Sequence, residues 1–182
     1  MNFAKTALLA LALAAGAAKA DLVTTNIYSG FNAAGDGSPF TGLVGTLNTP
    51  GITFGTDTGF NWHPFGLGSY GAQSLARFEV QADGNYTFSL VSDDGSAAYI
   101  DGVLAVDDGG PHGPALVSNT VHLTAGVHSL TINFFEDFGG NAGVDFRLAD
   151  GAHYVQQVPE PFSLALVAAG LAGLSLARRR KA

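Results

Sequence analysis

Between residues 91 and 110 every acidic cluster is followed at once by glycine: Asp93-Asp94-Gly95, Asp101-Gly102 and Asp107-Asp108-Gly109. Two short apolar runs, 97–100 and 103–106, fill the gaps between them. Asp-Gly tolerates the positive φ values that tight hairpins need. The stretch therefore predicts a meander of short strands joined by acidic turns. Its five aspartates admit two readings. Either they serve turn chemistry alone, or some of the carboxylates gather at one rim and bind a hard cation. Calcium is the cation such oxygens suit.

The flanking sequence follows the same rule. Residues 22–28 are rich in β-branched side chains, which favour strands. Over 75–80, Ala76, Phe78 and Val80 oppose Leu75 and Arg77. After an Asp83-Gly84 turn, Tyr86, Phe88 and Leu90 face one way, and Thr87, Ser89 and Val91 the other. Val121 and Leu123 mark a strand that turns at 124–126. His128, Leu130, Ile132 and Phe134 share one face of the longest strand, and Val144, Phe146 and Leu148 alternate with Asp145 and Arg147 in the last. No window from 21 to 157 carries helical periodicity, so the predicted class is all-β, an antiparallel β-sandwich or barrel. Residues 30–72 are dominated by glycine, proline and small polar residues, and read as loop-rich with one short strand at 52–54. Residues 109–118 and 136–142 read as further loops. The only tryptophan, Trp62, lies in Phe60-Asn61-Trp62-His63-Pro64-Phe65. It reads as a sugar-binding platform or as a plug over one end of the core.

Both ends carry processing signals. Lys5, an apolar run over 7–18 and Ala18-Lys19-Ala20 form a secretory signal peptide, residues 1–20, cut before Asp21. A second apolar run, 162–177, ends in Arg178-Arg179-Arg180-Lys181. It predicts a C-terminal membrane helix with its basic end on the cytoplasmic side. Just before it stands Val158-Pro159-Glu160-Pro161. Together, residues 158–182 resemble the bacterial PEP-CTERM sorting signal. That resemblance implies recognition at Pro159, Glu160 and Pro161 by an exosortase-type processing enzyme and anchoring in the inner membrane before processing. It also implies display at the surface of, or outside, a Gram-negative cell that makes exopolysaccharide. The absence of cysteine agrees with no disulfide framework, thiolate nucleophile or Cys-based zinc site. Between 21 and 157, two basic residues, Arg77 and Arg147, face 14 acidic ones, a net −12. Such a domain repels nucleic acid and anionic lipid and attracts divalent cations.

Within this 21–157 domain, the second half resembles the PA14 family. The matching residues include Gly84-Asn85-Tyr86-Thr87-Phe88, Ser92-Asp93-Asp94-Gly95-Ser96, Tyr99-Ile100-Asp101-Gly102 and Val106-Asp107. They continue through His112-Gly113, Leu123-Thr124-Ala125-Gly126, His128 and Phe134-Phe135-Glu136. The first half matches hardly at all. The resemblance implies a β-sandwich or barrel that serves as a lectin in adhesins, an accessory module in glycosidases or an interaction domain in toxins. In lectin members, an Asp-Asp pair holds calcium, an Asn and backbone carbonyls of a later loop complete the site, and sugar hydroxyls ligate the metal. Asp93 and Asp94 match the pair. Asn141 is the only Asn of the later loop, 136–143, and Asp137 is the substitute there. Asp101 and Asp107 read as turn residues.

An enzyme needs a positioned nucleophile or acid/base set. The sequence contains no Gly-x-Ser-x-Gly, phosphate loop or His-Glu-x-x-His. His122 and His128 flank a turn but lack a third zinc ligand, and Glu136-Asp137 reads as a loop start rather than half of a glycosidase acid pair. The expectation is a non-enzymatic, exported module that binds glycan or exopolysaccharide with calcium. The alternative is a structural matrix or biofilm protein without a specific sugar site.

Overall fold

The computed structural model describes residues 22–156. The signal peptide and the sorting tail with Pro159, Glu160 and Pro161 lie outside the described residues. Among the described residues, no helix is long and apolar enough to cross a membrane.

In chain order the strands are β1 (Val23–Asn32), β2 (Gly37–Thr49), β3 (Thr53–Phe54), β4 (Tyr70–Val80), β5 (Gly84–Asp93) and β6 (Ser96–Ile100). They continue with β7 (Val103–Asp108), β8 (Ala115–Leu123), β9 (Gly126–Glu136), β10 (Gly143–Arg147) and β11 (Ala152–Val155). The larger sheet has the order β2-β1-β4-β9-β6-β7, with β11 also paired to β4, and the smaller sheet has the order β3-β10-β5-β8. All these pairs are antiparallel.

The alternation read from the sequence sets the layers. Ala76, Phe78 and Val80 of β4 and Leu130, Ile132 and Phe134 of β9 are buried on the inner face of the larger sheet. Phe88 and Leu90 of β5 and Val144 and Phe146 of β10 meet them from the smaller sheet. Phe78 and Phe88 pack edge-on across the gap with ring centroids 5.5 Å apart, and Phe88 stacks on Phe146. Burial of large rings from both sheets drives the two layers together.

The 30–72 region departs from the loop-rich expectation, because β2 alone spans 13 of its residues. β2 is an edge strand that pairs only with β1, and most of its side chains are exposed. A strand held mainly by its backbone ladder, with most side chains exposed and Leu47 alone in its second half packed against the core, shows little period-2 pattern in its sequence. The ladder is also broken by register shifts at Ile27/Tyr28 and Gly30/Asn32. Two further strand segments fall where none was expected: the start of β8 at Ala115, and β11, which pairs Ala152 to Val155 with Val80 to Arg77.

The tip of the β1–β2 hairpin folds over the outside of the larger sheet. Asp36 accepts hydrogen bonds from the Tyr99 hydroxyl at 2.8 Å and the Asn133 amide at 2.7 Å. Phe31 stacks on Phe135, and Phe135 is fully buried although it points away from the main core. The Gly110 N–H donates to the Gly35 carbonyl, so the hairpin also braces the loop after β7. That loop, through Pro111, His112 and Gly113, forms one wall of a cleft at this end of the sandwich.

Candidate functional site

One end of the sandwich gathers the C-terminal ends of β5, β7 and β9 and the starts of β6 and β10. β5 runs to Asp93, which pairs with Gly143 of β10. The chain then crosses to the larger sheet through Asp94 and Gly95, and the Asp93–Asp94 peptide bond is cis. A Cβ on Gly95 would lie 2.6 Å from the Gly110 carbonyl oxygen and 2.5 Å from the Phe135 ring. Only glycine lets the acidic turn pack this closely against the β7–β8 loop. Beneath it, Ser92 and Ser96 share a hydroxyl hydrogen bond of 2.6 Å, and Ser92 also reaches the Asp108 carboxylate at 3.1 Å. These buried polar groups have their partners within the fold.

The acidic groups above them are satisfied only in part. Ligand-capable atoms of Asp93, Asp94 and Glu136 all lie within 4.8 Å of one another. The three side chains are 7%, 4% and 1% exposed. Asp94 accepts from the His112 N–H at 3.0 Å and from the Asp137 N–H at 3.1 Å. Glu136 Oε1 accepts three backbone N–H groups, from Phe138 (3.0 Å), Gly139 (2.7 Å) and Gly140 (3.3 Å). Glu136 Oε2 is buried without a partner. Burial, and then the charge of Asp94, raise the Asp93 carboxyl above the usual range, with His112 opposing. Burial and the Asp94 charge likewise raise Glu136, against the pull of its three N–H donors.

His112 faces the same cleft from the β7–β8 loop. Its Nδ1 lies 2.8 Å from the Gly113 carbonyl and its Nε2 2.9 Å from the Asp108 carbonyl. Both ring nitrogens therefore face acceptors, which favours the doubly protonated ring. Burial works against that charge, but the two carbonyls and the charges of Asp108 and Asp94 outweigh it and raise the His112 pKa.

Over this cluster opens a cleft of about 420 Å³, lined by the three acids and by His112, Phe138 and Asn141 among others. Oxygens bound to one calcium at about 2.3–2.6 Å lie at most roughly 5 Å apart. The observed 4.8 Å limit meets that condition. Repulsion among buried carboxylates, together with an unpaired oxygen, is what a bound cation would relieve.

The structure brings Asp93, Asp94 and Asn141 to the same cleft. Asp137 contributes its backbone instead: its N–H binds Asp94 and its carbonyl accepts from the Ser69 hydroxyl. Trp62 is not brought to the cleft. Its ring stacks on Phe54 at 4.3 Å and packs against Tyr70 and Phe134, which is the plug arrangement. His122 and His128 do not meet, since His122 lies 3.2 Å from Asn85 on the smaller sheet while His128 bonds Asp101 on the larger. Glu136 is the residue that the sequence reading missed as a site member. Its signal was available: it continues the inward face of His128, Leu130, Ile132 and Phe134, where a carboxylate has no apolar reason to be.

A family model described as the PA14 domain matches residues 30–152. A second, the PEP-CTERM protein-sorting motif, matches residues 157–181. A search of curated proteins found no match. Among solved structures, an anti-sigma factor domain-containing protein from Clostridium clariflavum is similar with a TM-score of 0.57 and 18% identity, over 76% of this chain and 48% of that one. The chain thus spans just under half of that protein. The Epithelial Adhesin 6 A domain from Candida glabrata, solved in complex with Galb1-3GlcNAc, gives 0.51 and 12%, over 78% of this chain and 90% of that one. A β-glucosidase from Kluyveromyces marxianus gives 0.51 and 14%, over 76% of this chain but only 16% of the enzyme. At these identities the likeness is one of fold.

Proposed function

Because this chain belongs to the PA14 domain family, we propose that it is a non-enzymatic carbohydrate-binding module, displayed outside the cell, whose cleft takes glycan or exopolysaccharide with the help of calcium. The PEP-CTERM motif at 157–181 indicates export and sorting to the cell envelope, and an exosortase-type enzyme is the processing partner it calls for. The observation that carries the reading is the trio of buried carboxylates under an open cleft. Asp93 and Asp94 supply hard anionic oxygens, and Asn141 on the rim can add an amide oxygen. Coordination positions left toward the cleft suit sugar hydroxyls, which replace water on calcium without a change in ligand type. Asp137 positions Asp94 through its N–H. The adhesin domain solved with a disaccharide adds support, since it shares the fold over most of both chains.

The test is calorimetric titration of calcium into the chelated 21–157 domain, followed by a glycan array in calcium. One saturable site of micromolar to millimolar affinity is expected, the range of extracellular calcium modules. Asp93→Ala with Asp94→Ala should abolish it while the domain stays folded. Discrete array hits that vanish with chelator support the lectin reading. Calcium binding without any hit leaves a calcium-bridged matrix protein.

A further inference from the structure

We infer that Glu136 is a two-sided residue: one carboxylate oxygen clamps the β9–β10 loop and the other is the third anionic ligand of a cation held by Asp93 and Asp94. The inference rests on the calcium reading above and assigns a role to a residue outside the Asp-Asp-Asn set. Glu136 closes the inward face of β9 and is 1% exposed. An apolar side chain at that position would simply extend the core. A carboxylate there costs free energy unless both oxygens find partners.

Oε1 has found them. It collects the N–H groups of Phe138, Gly139 and Gly140 within 3.3 Å. Three donors on one oxygen fix the direction of the loop backbone, and with it the rim that carries Asn141. Gly139 lies at φ 67, a left-handed conformation that helps the loop curl round that oxygen. Clamping of this kind needs one acceptor oxygen. Oε2 is left over: buried, without a partner, on a side chain that belongs to the acidic trio. Partnerless burial of an anionic oxygen makes sense when the partner is a cation. A cation bridging Oε2 to Asp93 and Asp94 then ties the end of β5 in one sheet to the end of β9 in the other, and calcium binding orders the sugar-facing loop.

Two measurements decide it. Glu136→Gln keeps an oxygen for the three N–H groups and removes the charge. In chelator its thermal midpoint should equal or exceed that of the parent, because repulsion with Asp94 is relieved. Calcium affinity, read by calorimetry, should fall roughly tenfold or more with the lost ligand charge. Unchanged calcium affinity in the variant, with clear binding in the parent, overturns this inference and leaves the calcium reading standing. No binding in the parent overturns both. If the variant does not fold, the parent alone suffices: hydrogen exchange at the amides of Phe138, Gly139 and Gly140 should slow on adding calcium. Exchange that calcium leaves unaltered overturns the inference.

Discussion

Asp-Gly closes a turn at both ends of the sandwich, at Asp94-Gly95 and at Asp101-Gly102, yet the acids gathered around the two turns meet opposite surroundings. Asp101 is fully engaged. Its Oδ1 accepts from the Ser129 N–H at 2.8 Å and the Ser129 hydroxyl at 3.1 Å, and its Oδ2 lies 2.7 Å from His128 Nδ1. Burial opposes its charge, but the His128 and Ser129 hydrogen bonds hold its carboxyl below the usual range. At the other end, Asp93 and Glu136 are pushed the opposite way, and Glu136 keeps an oxygen without a partner. One dipeptide thus makes a closed joint at Asp101-Gly102, and at Asp94-Gly95 the edge of an open site, where Asp94 accepts two backbone N–H groups but its neighbour Glu136 keeps an unpaired oxygen. The sharpest structural sign of function is an acid whose partner is not part of the protein.

The glycines differ as much as the acids, and this gives the largest expected effect. Gly95 is needed for space, with backbone atoms of Gly110 at 2.6 and 2.8 Å from a built Cβ. Gly102 is needed for its φ of 77, and nothing lies within 4 Å of a Cβ there. Gly95→Ala should cost about 2–3 kcal/mol, as overpacking against backbone does, and should weaken any calcium binding by moving Asp94. Gly102→Ala should cost about 1 kcal/mol and leave calcium binding untouched. Chemical denaturation of both variants, with and without calcium, measures the contrast. Equal losses at the two sites would mean that space and φ constrain the two glycines alike.

Asp101→Asn is the next smaller break. Asn tolerates the positive φ of this position, 50, so the change removes charge rather than conformation. The Asp101 side chain is 52% exposed, and solvent screening discounts the ion pair. The expected cost is about 1 kcal/mol near pH 6, read as a lowered denaturation midpoint. Glu136→Gln at the open end should cost nothing in chelator, and that difference is the clearest signature of one closed and one open acidic turn.

The sequence made the strands around this contrast legible and left the joint roles obscure. Alternation in β4, β5, β9 and β10 revealed the inner faces, because each of these strands buries one side against the other sheet. β2 was invisible because most of its side chains are exposed. Asp93 and Asp94 stood out as a pair, but spacing along the chain does not say that Glu136, 42 residues beyond Asp94, closes the cluster. That juxtaposition follows from crossing between sheets at Gly95 and from the β6–β9 pairing that sets Ser96 beside Phe134. Trp62 resisted assignment for a related reason. An aromatic in a loop becomes platform or plug according to whether a core lies under it, and here Phe54, Tyr70 and Phe134 lie under it.

pH supplies the smallest effect. His128 Nε2 lies 2.9 Å from the Thr124 carbonyl, opposite the Asp101 carboxylate on Nδ1. Burial alone would lower its pKa, but the Asp101 hydrogen bond, the Thr124 carbonyl and the Asp101 charge raise it. A folded-state value above the unfolded one, about 6.5, places the stabilisation fully below roughly pH 6. It is lost as pH rises through the raised value. His112 is raised as well and adds a slope of the same sign, so the parent curve alone does not isolate the joint. The difference between parent and Asp101→Asn does. An Asn at 101 can donate to Nδ1 of a neutral ring while Nε2–H still reaches Thr124, so the variant has no reason to favour the imidazolium. From pH 6 to pH 8 in chelator, the thermal midpoint of the parent should fall by roughly 2–4 °C more than that of the variant. Parallel curves would mean that His128 is held by shape against Phe78, 5.5 Å from its ring, and that charge contributes nothing to closing this end.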